Sequence, residues 1–311
     1  MMHSRRAFLN ALKAVEAEAM PQRFDGKVAN YIPALGKIPI DRFALSIATL
    51  DGRYYEIGNT KETFSIQSIS KLFTLLMAVD QMGDETWTRI GRSPTNAAFN
   101  ALGWLEAREG KPYNPFVNAG ALAVTDYVMA HLATPLPVIL DFIRKLADDE
   151  DVDIDFEVAD SERATCDRNA AIAYLMKNYG TIQGSVDALL DLYCQQCAIE
   201  MTTHQLATAG LVFASGGCDA RGRRVIDPVH SHRINALLAI AGMYDAAGDF
   251  AFRVGLPAKS GVGGGILAIV PGEMAISVWS PALNEAGNST AGIAALEVLS
   301  RELELSVYRA R

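Results

Sequence analysis

Phe64-Ser65-Ile66-Gln67-Ser68-Ile69-Ser70-Lys71, running on into Leu72-Phe73-Thr74-Leu75-Leu76-Met77-Ala78-Val79 and stopped at Gly83, carries the strongest local signal in the chain. Ser68 stands where a helix begins. Ser-x-x-Lys alone arises by chance about once in a chain of this size at average residue usage, so its setting carries the weight. In the plainest case Ser68 is an N-cap and Lys71 a solvated charge. A cation in the first turn opposes the helix dipole, however, and the helix that follows is apolar on nearly every face and belongs in the interior. Structural preference would not put a lysine there. Burial and the positive helix terminus both disfavour the ammonium form and draw the Lys71 pKa down towards that of a useful base. Ser68 lies one turn away on the same face, and the helix amides can face a developing oxyanion.

Outward from this segment, Phe43 to Leu50, Asp51-Gly52 and Arg53 to Ile57 read as two strands joined by a hairpin turn. Near the other end Gly265 to Val270 and Met274 to Trp279 flank Pro271-Gly272, a second turn signal. The long interval between is dominated by 3.6-period apolar patterns, as in Leu122 to Leu132, Pro137 to Leu146, Ala170 to Tyr179 and Val186 to Cys197. A first amphipathic helix has Phe8, Leu9, Leu12 and Val15 on one side. A last helix, about Thr290 to Leu305, carries Ile293, Leu296, Leu299 and Leu303 towards the sheet. Terminal strands that can complete a sheet only by pairing with each other predict an α/β core, about 1–75 and 245–311, with an all-α subdomain at about 76–244. The whole of 1–311 is read as one catalytic unit, with its site in the cleft between these parts.

Half of the 311 residues are apolar and 21% are charged, as in an ordinary globular protein. A net charge of −8, with no long Lys/Arg block, argues against nucleic acid as a partner. The four cysteines (Cys166, Cys194, Cys197, Cys218) match no secreted disulfide framework, which favours a reducing compartment. Cys194-x-x-Cys197 has no second close pair and no histidine at ligand spacing, so it reads as two buried helical thiols. Ser4-Arg5-Arg6-Ala7-Phe8-Leu9 imitates a twin-arginine export signal, but Asn10, Lys13, Glu16 and Glu18 interrupt the apolar stretch that such a signal needs. No uncharged apolar run approaches the roughly 18 to 20 residues of a membrane span. The expectation is a cytoplasmic chain with no membrane partner. His3, His131, His204, His230 and His232 form no His-Glu-x-x-His pattern, His230-Ser231-His232 reads as a polar loop, and no metal is implied.

Leu256-Pro257-Ala258-Lys259-Ser260-Gly261-Val262, ahead of the third strand, puts a lysine, a hydroxyl and a glycine at a strand edge. Downstream of a Ser-x-x-Lys this is a variant of the Lys-Thr-Gly element of β-lactamases and penicillin-binding proteins. Gly263-Gly264-Gly265 has no preceding strand and is followed by a strand, which excludes the dinucleotide-binding fingerprint.

These residues and five further stretches resemble the serine-dependent glutaminases. The stretches are Ala29-Asn30-Tyr31-Ile32-Pro33, then Pro112 to Gly120 (PYNPFVNAG), then Ser161-Glu162-Arg163 with Asp167-Arg168-Asn169, then Tyr193 with Cys197-Ala198-Ile199-Glu200, and Gly242-Met243-Tyr244-Asp245. The resemblance runs from about Gly26 to Gly287. It implies a β-lactamase/transpeptidase-like fold, with an antiparallel sheet flanked by the terminal helices. It also implies hydrolysis of L-glutamine to L-glutamate and ammonia without a cofactor, and a homo-oligomer, tetramer or dimer. By the same resemblance Ser68 is the nucleophile, Lys71 its base, and Tyr31 and Tyr244 assist proton transfer. Asn118, Glu162, Asn169 and Tyr193 hold the amino-acid end of the substrate, the amides of Ser68 and Val262 form the oxyanion hole, and Gln67, Lys259 and Ser260 support the site.

The chemistry of the residue types agrees. An α-ammonium needs a carboxylate and an α-carboxylate needs donors, and Glu162 beside two asparagines and a tyrosine supplies both without an arginine. If one helix carries them, Glu162 and Asn169 share a face. Taken singly, Asn118 reads as an N-cap, Glu162 as a first-turn acid, and Tyr193 and Tyr244 as half-buried core aromatics. Two alternatives share the motifs. A penicillin-recognising acyl transferase lacks support, because no Ser-Asp-Asn or Tyr-x-Asn lies between Ser68 and Lys259. A non-catalytic amino-acid sensor would not need both Ser68 and Lys71.

Overall fold

The computed structural model describes residues 3–95 and 100–309. Helix α1 (Arg5–Glu18) is capped by Ser4, whose hydroxyl accepts the Ala7 amide. It leads to strands β1 (Ala44–Thr49) and β2 (Tyr54–Gly58) and to the short β3 (Phe64–Ser65). A 3-10 turn over Gln67–Ile69 then opens α2 (Ser70–Met82), in which every residue from Ser70 to Val79 is buried. The helical part follows: α3 (Thr86–Arg89), α4 (Gly103–Glu106), α5 (Asn118–His131), α6 (Pro135–Ala147), β4 (Asp153–Ile154), α7 (Phe156–Ala164), α8 (Asp167–Asn178), α9 (Val186–Cys197), β5 (Ile199–Met201), α10 (Thr203–Ala214), α11 (Pro228–Ala241) and α12 (Ala247–Arg253). The chain returns through β6 (Ala258–Ser260), β7 (Gly265–Val270) and β8 (Met274–Trp279) and ends with α13 (Thr290–Glu302).

β1 and β8, from opposite ends of the sequence, pair antiparallel with Ser46 opposite Ser277, and the sheet runs β2-β1-β8-β7-β6. Both predicted hairpins form, with Gly52 and Gly272 each at φ 81°, a conformation that a side chain would strain. Alternation along the strands sorts the side chains onto two faces. Leu45, Ile47, Ile266, Val270, Met274, Ile276 and Val278 face out into a core shared with α1 and α13. The inner face carries smaller groups, Ala44, Ser46, Ala48, Ala275 and Ser277, beside Leu267 and Ile269. Small residues let α10 lie close: a Cβ on Gly210 would come within 2.8 Å of both Ala275 Cβ and Leu267 Cδ1. α10 is buried at every residue except His204 and opens with a Thr202/Gln205 capping box, as suits a helix enclosed by protein along most of its length.

Four local expectations are corrected. Leu9 is 45% exposed, and Ala11 takes its place on the buried face of α1. His230-Ser231-His232 lies inside α11 and not in a loop, because Asp227 caps the helix and Pro228 occupies its first turn. Glu162 and Asn169 sit on separate helices, since the chain breaks at Thr165-Cys166 between α7 and α8. The Thr165 hydroxyl turns back onto the Ser161 and Glu162 carbonyls at this break. The helical part also holds β4 and β5, which join β3 in a second, three-stranded sheet in the order β3-β5-β4.

Candidate active site

The path of the chain just before α2 is strained. Gln67 is buried with φ 49°, a left-handed conformation unusual for any residue but glycine. Its side-chain amide is held by two acceptors: Nε2 donates to Ser65 Oγ at 2.9 Å and to Glu162 Oε2 at 3.2 Å. This kink presents Ser68, half-buried, to a cavity of about 300 Å³ between the sheet and the helical part. Tyr31, Gln67, Ser68, Asn118, Glu162, Asn169, Tyr193, Tyr244 and Val262 all line it. Nine predicted positions from eight separate segments therefore meet in one place.

Lys71, Lys259 and Ser260 lie behind the cavity wall. Lys71 is fully buried, and its Nζ contacts Asn118 Oδ1 at 2.7 Å, the Phe116 carbonyl at 3.2 Å and Tyr244 Oη at 3.3 Å. Burial lowers its pKa to about 8, against the opposing pull of Cys197 and Glu162. The partners fit the neutral amine. Two acceptors, Asn118 Oδ1 and the Phe116 carbonyl, take its two N–H groups, and the lone pair is left for a hydroxyl. Asn118 is fixed in this orientation because its Nδ2 donates to Asn169 Oδ1 at 2.8 Å. It is the first residue of α5 and not its N-cap, which is Val117.

Glu162, buried in the last turn of α7 and not the first, has its pKa raised to about 7 by burial, against the hydrogen bond from Gln67 and the charge of Lys71. Tyr193, from α9, is fully buried rather than half-buried, and desolvation holds its hydroxyl well above the ordinary range. Tyr244 is half-buried in a 3-10 turn at φ 56°. Lys259 Nζ donates to the carbonyls of Gly242 at 3.1 Å and Ser260 at 2.6 Å, and lies 4.1 Å from the centre of the Tyr244 ring. Burial lowers its pKa to about 8 as well; Tyr244 opposes the shift and Lys71 adds to it. Ser260 Oγ is buried with no hydrogen-bond partner among the described residues. Tyr31, 57% exposed, stands at the mouth.

Sequence reasoning gave no site role to Cys166 or Arg168, which also line the cavity. Arg168 Nε donates to the Asn100 carbonyl at 2.9 Å, so an arginine does stand at the rim, although none was expected there. Its place beside Asn169 in the sequence was the available signal. Cys166 Sγ accepts from Arg163 Nη1 at 3.3 Å. All four cysteines are free thiols, and among the described residues no cluster of three or more His, Cys, Asp or Glu side chains is placed to hold a metal ion.

The glutaminase family model matches residues 26–308, nearly the whole described chain and every position above. The chain belongs to the glutaminase family. It is 48% identical to the glutaminase of Rhizobium rhizogenes, over 96% of this chain and 97% of that one. It is 46% identical to the glutaminase of a Shewanella species, over 96% and 99%. Among solved structures, the probable glutaminase ybaS superposes with a TM-score of 0.93 at 36% identity, covering 99% of this chain and all of that one. A probable glutaminase of Bacillus subtilis superposes with a TM-score of 0.87 at 32% identity, over 96% and 97%. The antiparallel sheet with its terminal helices and helical insertion is thus the family's β-lactamase-like α/β fold.

Proposed function

We propose that this protein hydrolyses L-glutamine to L-glutamate and ammonia through a γ-glutamyl ester on Ser68, with Lys71 as the base. Family membership supports the reaction. The arrangement that carries the mechanism is a fully buried Lys71 beside the strained turn of Ser68, in contacts that suit a neutral amine. With a pKa of about 8, an appreciable fraction of Lys71 is unprotonated near neutrality. Its lone pair takes the Ser68 hydroxyl proton, directly or through Tyr244, as Oγ attacks the γ-carboxamide carbon. The oxyanion forms against the Ser68 and Val262 amides. The proton passes to the departing nitrogen and ammonia leaves. Water then attacks the ester with Lys71 again as base, releasing glutamate and restoring Ser68.

At the other end of the substrate, Glu162 takes the α-ammonium, while Asn118, Asn169 and Tyr193 offer neutral polar groups to the α-carboxylate. A positive ligand would also draw the Glu162 pKa back down, so substrate binding itself ionises its partner. Tyr31 closes the mouth, and Lys259 sets the field around Tyr244. We further propose that 1–75 with 245–311 and 76–244 act as the two parts of a single catalytic unit, cytoplasmic and homo-oligomeric; among the described residues no single helix is long and apolar enough to cross a membrane.

Ser68→Ala tests the reading. Ammonia release from glutamine should vanish while the melting temperature stays within a few degrees of wild type. Retention of a tenth of wild-type turnover would remove Ser68 as nucleophile. Asparagine, assayed in parallel, should be at least about a hundredfold poorer in kcat/KM, because a side chain one methylene shorter leaves its carboxamide short of Ser68 when the α-groups are anchored.

A further inference from the structure

The turn Gly261–Gly264 carries Val262 at its first central position, and it is packed against the nucleophile segment at backbone level. A Cβ on Gly261 would fall 2.5 Å from the Ile66 carbonyl oxygen and 3.3 Å from the Ser68 nitrogen, and one on Gly263 would fall 2.3 Å from the Ser65 carbonyl oxygen. Only glycine lets the two strands of backbone approach so closely. Val262 and Ser68 both line the cavity, and no acceptor among the described residues takes the Val262 amide proton. The turn is closed by Gly264 N–H to the Gly261 carbonyl and Gly261 N–H to the Gly265 carbonyl, each 3.0 Å, and tied to β8 by Ser280 N–H to the Gly264 carbonyl, also 3.0 Å.

Among the described residues one side chain bonds to this turn. The Trp279 indole Nε1 donates to the Gly263 carbonyl at 3.0 Å. Trp279 ends β8, is buried, and stacks on Phe64 with ring centres 5.1 Å apart and planes 7° from parallel. Phe64 in turn lies in the strand that leads to Ser68, and a Cβ on Gly265 would strike its ring at 2.5 Å. One indole therefore bonds to the turn that carries Val262 and stacks on the side chain of the strand that leads to Ser68, the two segments whose amides form the oxyanion hole in the mechanism proposed above.

We propose that Trp279 is a positioning residue for the oxyanion hole, holding the Val262 amide in register with that of Ser68 through its bond to Gly263 and its stack on Phe64. This rests on the serine-ester mechanism proposed above. Oxyanion donors act on the transition state and little on the bound substrate, so a donor displaced by a few tenths of an ångström lowers kcat and leaves KM in place.

Trp279→Phe keeps an aromatic ring for the stack and deletes the N–H. Steady-state hydrolysis of glutamine should show kcat reduced tenfold or more, KM within about twofold of wild type, and the acid limb of the pH profile unmoved, since the variant leaves Lys71 and its contacts intact. A kcat within twofold of wild type, or a loss expressed in KM alone, would overturn the assignment. If Trp279→Phe does not fold, Phe64→Leu decides instead: it retains the indole N–H but loosens the stack, and a lowered kcat at constant KM supports the role while an unchanged kcat refutes it. Ser68→Ala in the same assay separates the two levels. Turnover in that variant defeats the ester mechanism itself, whereas a dead Ser68→Ala beside a fully active Trp279→Phe defeats only the positioning role.

Discussion

The two faces of the five-stranded sheet are built on opposite terms. Outside, against α1 and α13, the core is almost wholly aliphatic and aromatic, with Phe8 stacked on Tyr55 at 4.2 Å and, among the described residues, no lysine or carboxylate buried in that layer. Inside, the sheet side towards the helices buries Lys71, Lys259, Glu162, Gln67 and Asn118, strains Gln67 and Tyr244, and leaves Ser277 Oγ with no hydrogen-bond partner among the described residues. Buried charges cost stability unless they are well matched, and here both lysines and the glutamate have pKa values moved towards their neutral forms. One layer holds the fold together while the other spends part of that stability on groups poised for proton transfer.

That contrast is broken most sharply at Lys71. Lys71→Arg retains positive charge but cannot deprotonate near neutrality. Turnover should fall by about 10² to 10⁴-fold if the base is neutral lysine. A folded Lys71→Arg protein with substantial activity, checked by thermal melting beside the ammonia assay, would move the base role to Tyr31 or Tyr244. The outer layer should show the reverse. Phe8→Ala removes a buried ring and should cost about 3 to 5 kcal/mol of stability, read by denaturant unfolding. Its kcat and KM at a temperature where it remains folded should match wild type; altered kinetics would mean that the two faces are coupled through the sheet.

Glu162→Gln sharpens the inner half. Removing a charged partner of the substrate ammonium should raise KM by about 10 to 100-fold, the worth of a charge-assisted hydrogen bond. The same variant should change the pH profile of kcat/KM. In wild type, Lys71 near 8 and Glu162 near 7 must both lose protons, so activity falls below about pH 8 and steepens below about 7. In the variant one of these steps is gone. The other moves to lower pH, because the Glu162 charge raises the Lys71 pKa. An acid limb with unchanged slope and midpoint would take Glu162 out of the coupled site.

The sequence disclosed the outer layer and the sheet because both are periodic. The four long strands follow from two turn dipeptides and β-branched runs, and the predicted edges of β7 and β8 coincide with the observed ones. β3, β4 and β5 escaped because two or three residues are too few for any period to register. The break between α7 and α8 escaped because Thr165-Cys166 contains neither glycine nor proline; a side chain folding back on its own helix stops α7 there. At the site, residue types spoke clearly and geometry did not. Ser68-x-x-Lys71 on an apolar helix announced a buried lysine, yet nothing in Gln67 signals φ 49°, and nothing in Trp279 signals a bond to Gly263, since both depend on neighbours distant in the chain.

The smallest effect expected is on stability, and its sign follows from the same burial. Folding raises the Glu162 pKa from an ordinary 4.5 to about 7, so the folded state binds a proton that the unfolded chain has already released. Stability from this group is therefore complete below pH 4.5 and is lost as the pH rises through 7. Glutamine at position 162 cannot ionise and should not show that loss. The variant should match or trail wild type near pH 5, where it gives up a carboxylic acid for an amide of similar shape. It should gain on wild type between pH 5 and 8, by on the order of 2 kcal/mol, since the value near 7 already sets the attraction to Lys71 against burial. Parallel thermal melts at these two pH values measure the difference directly. A gap between the two proteins that stays constant with pH would show that Glu162 is ionised throughout in the free protein, and that its carboxylate is held by Gln67 and Lys71 strongly enough to offset its burial.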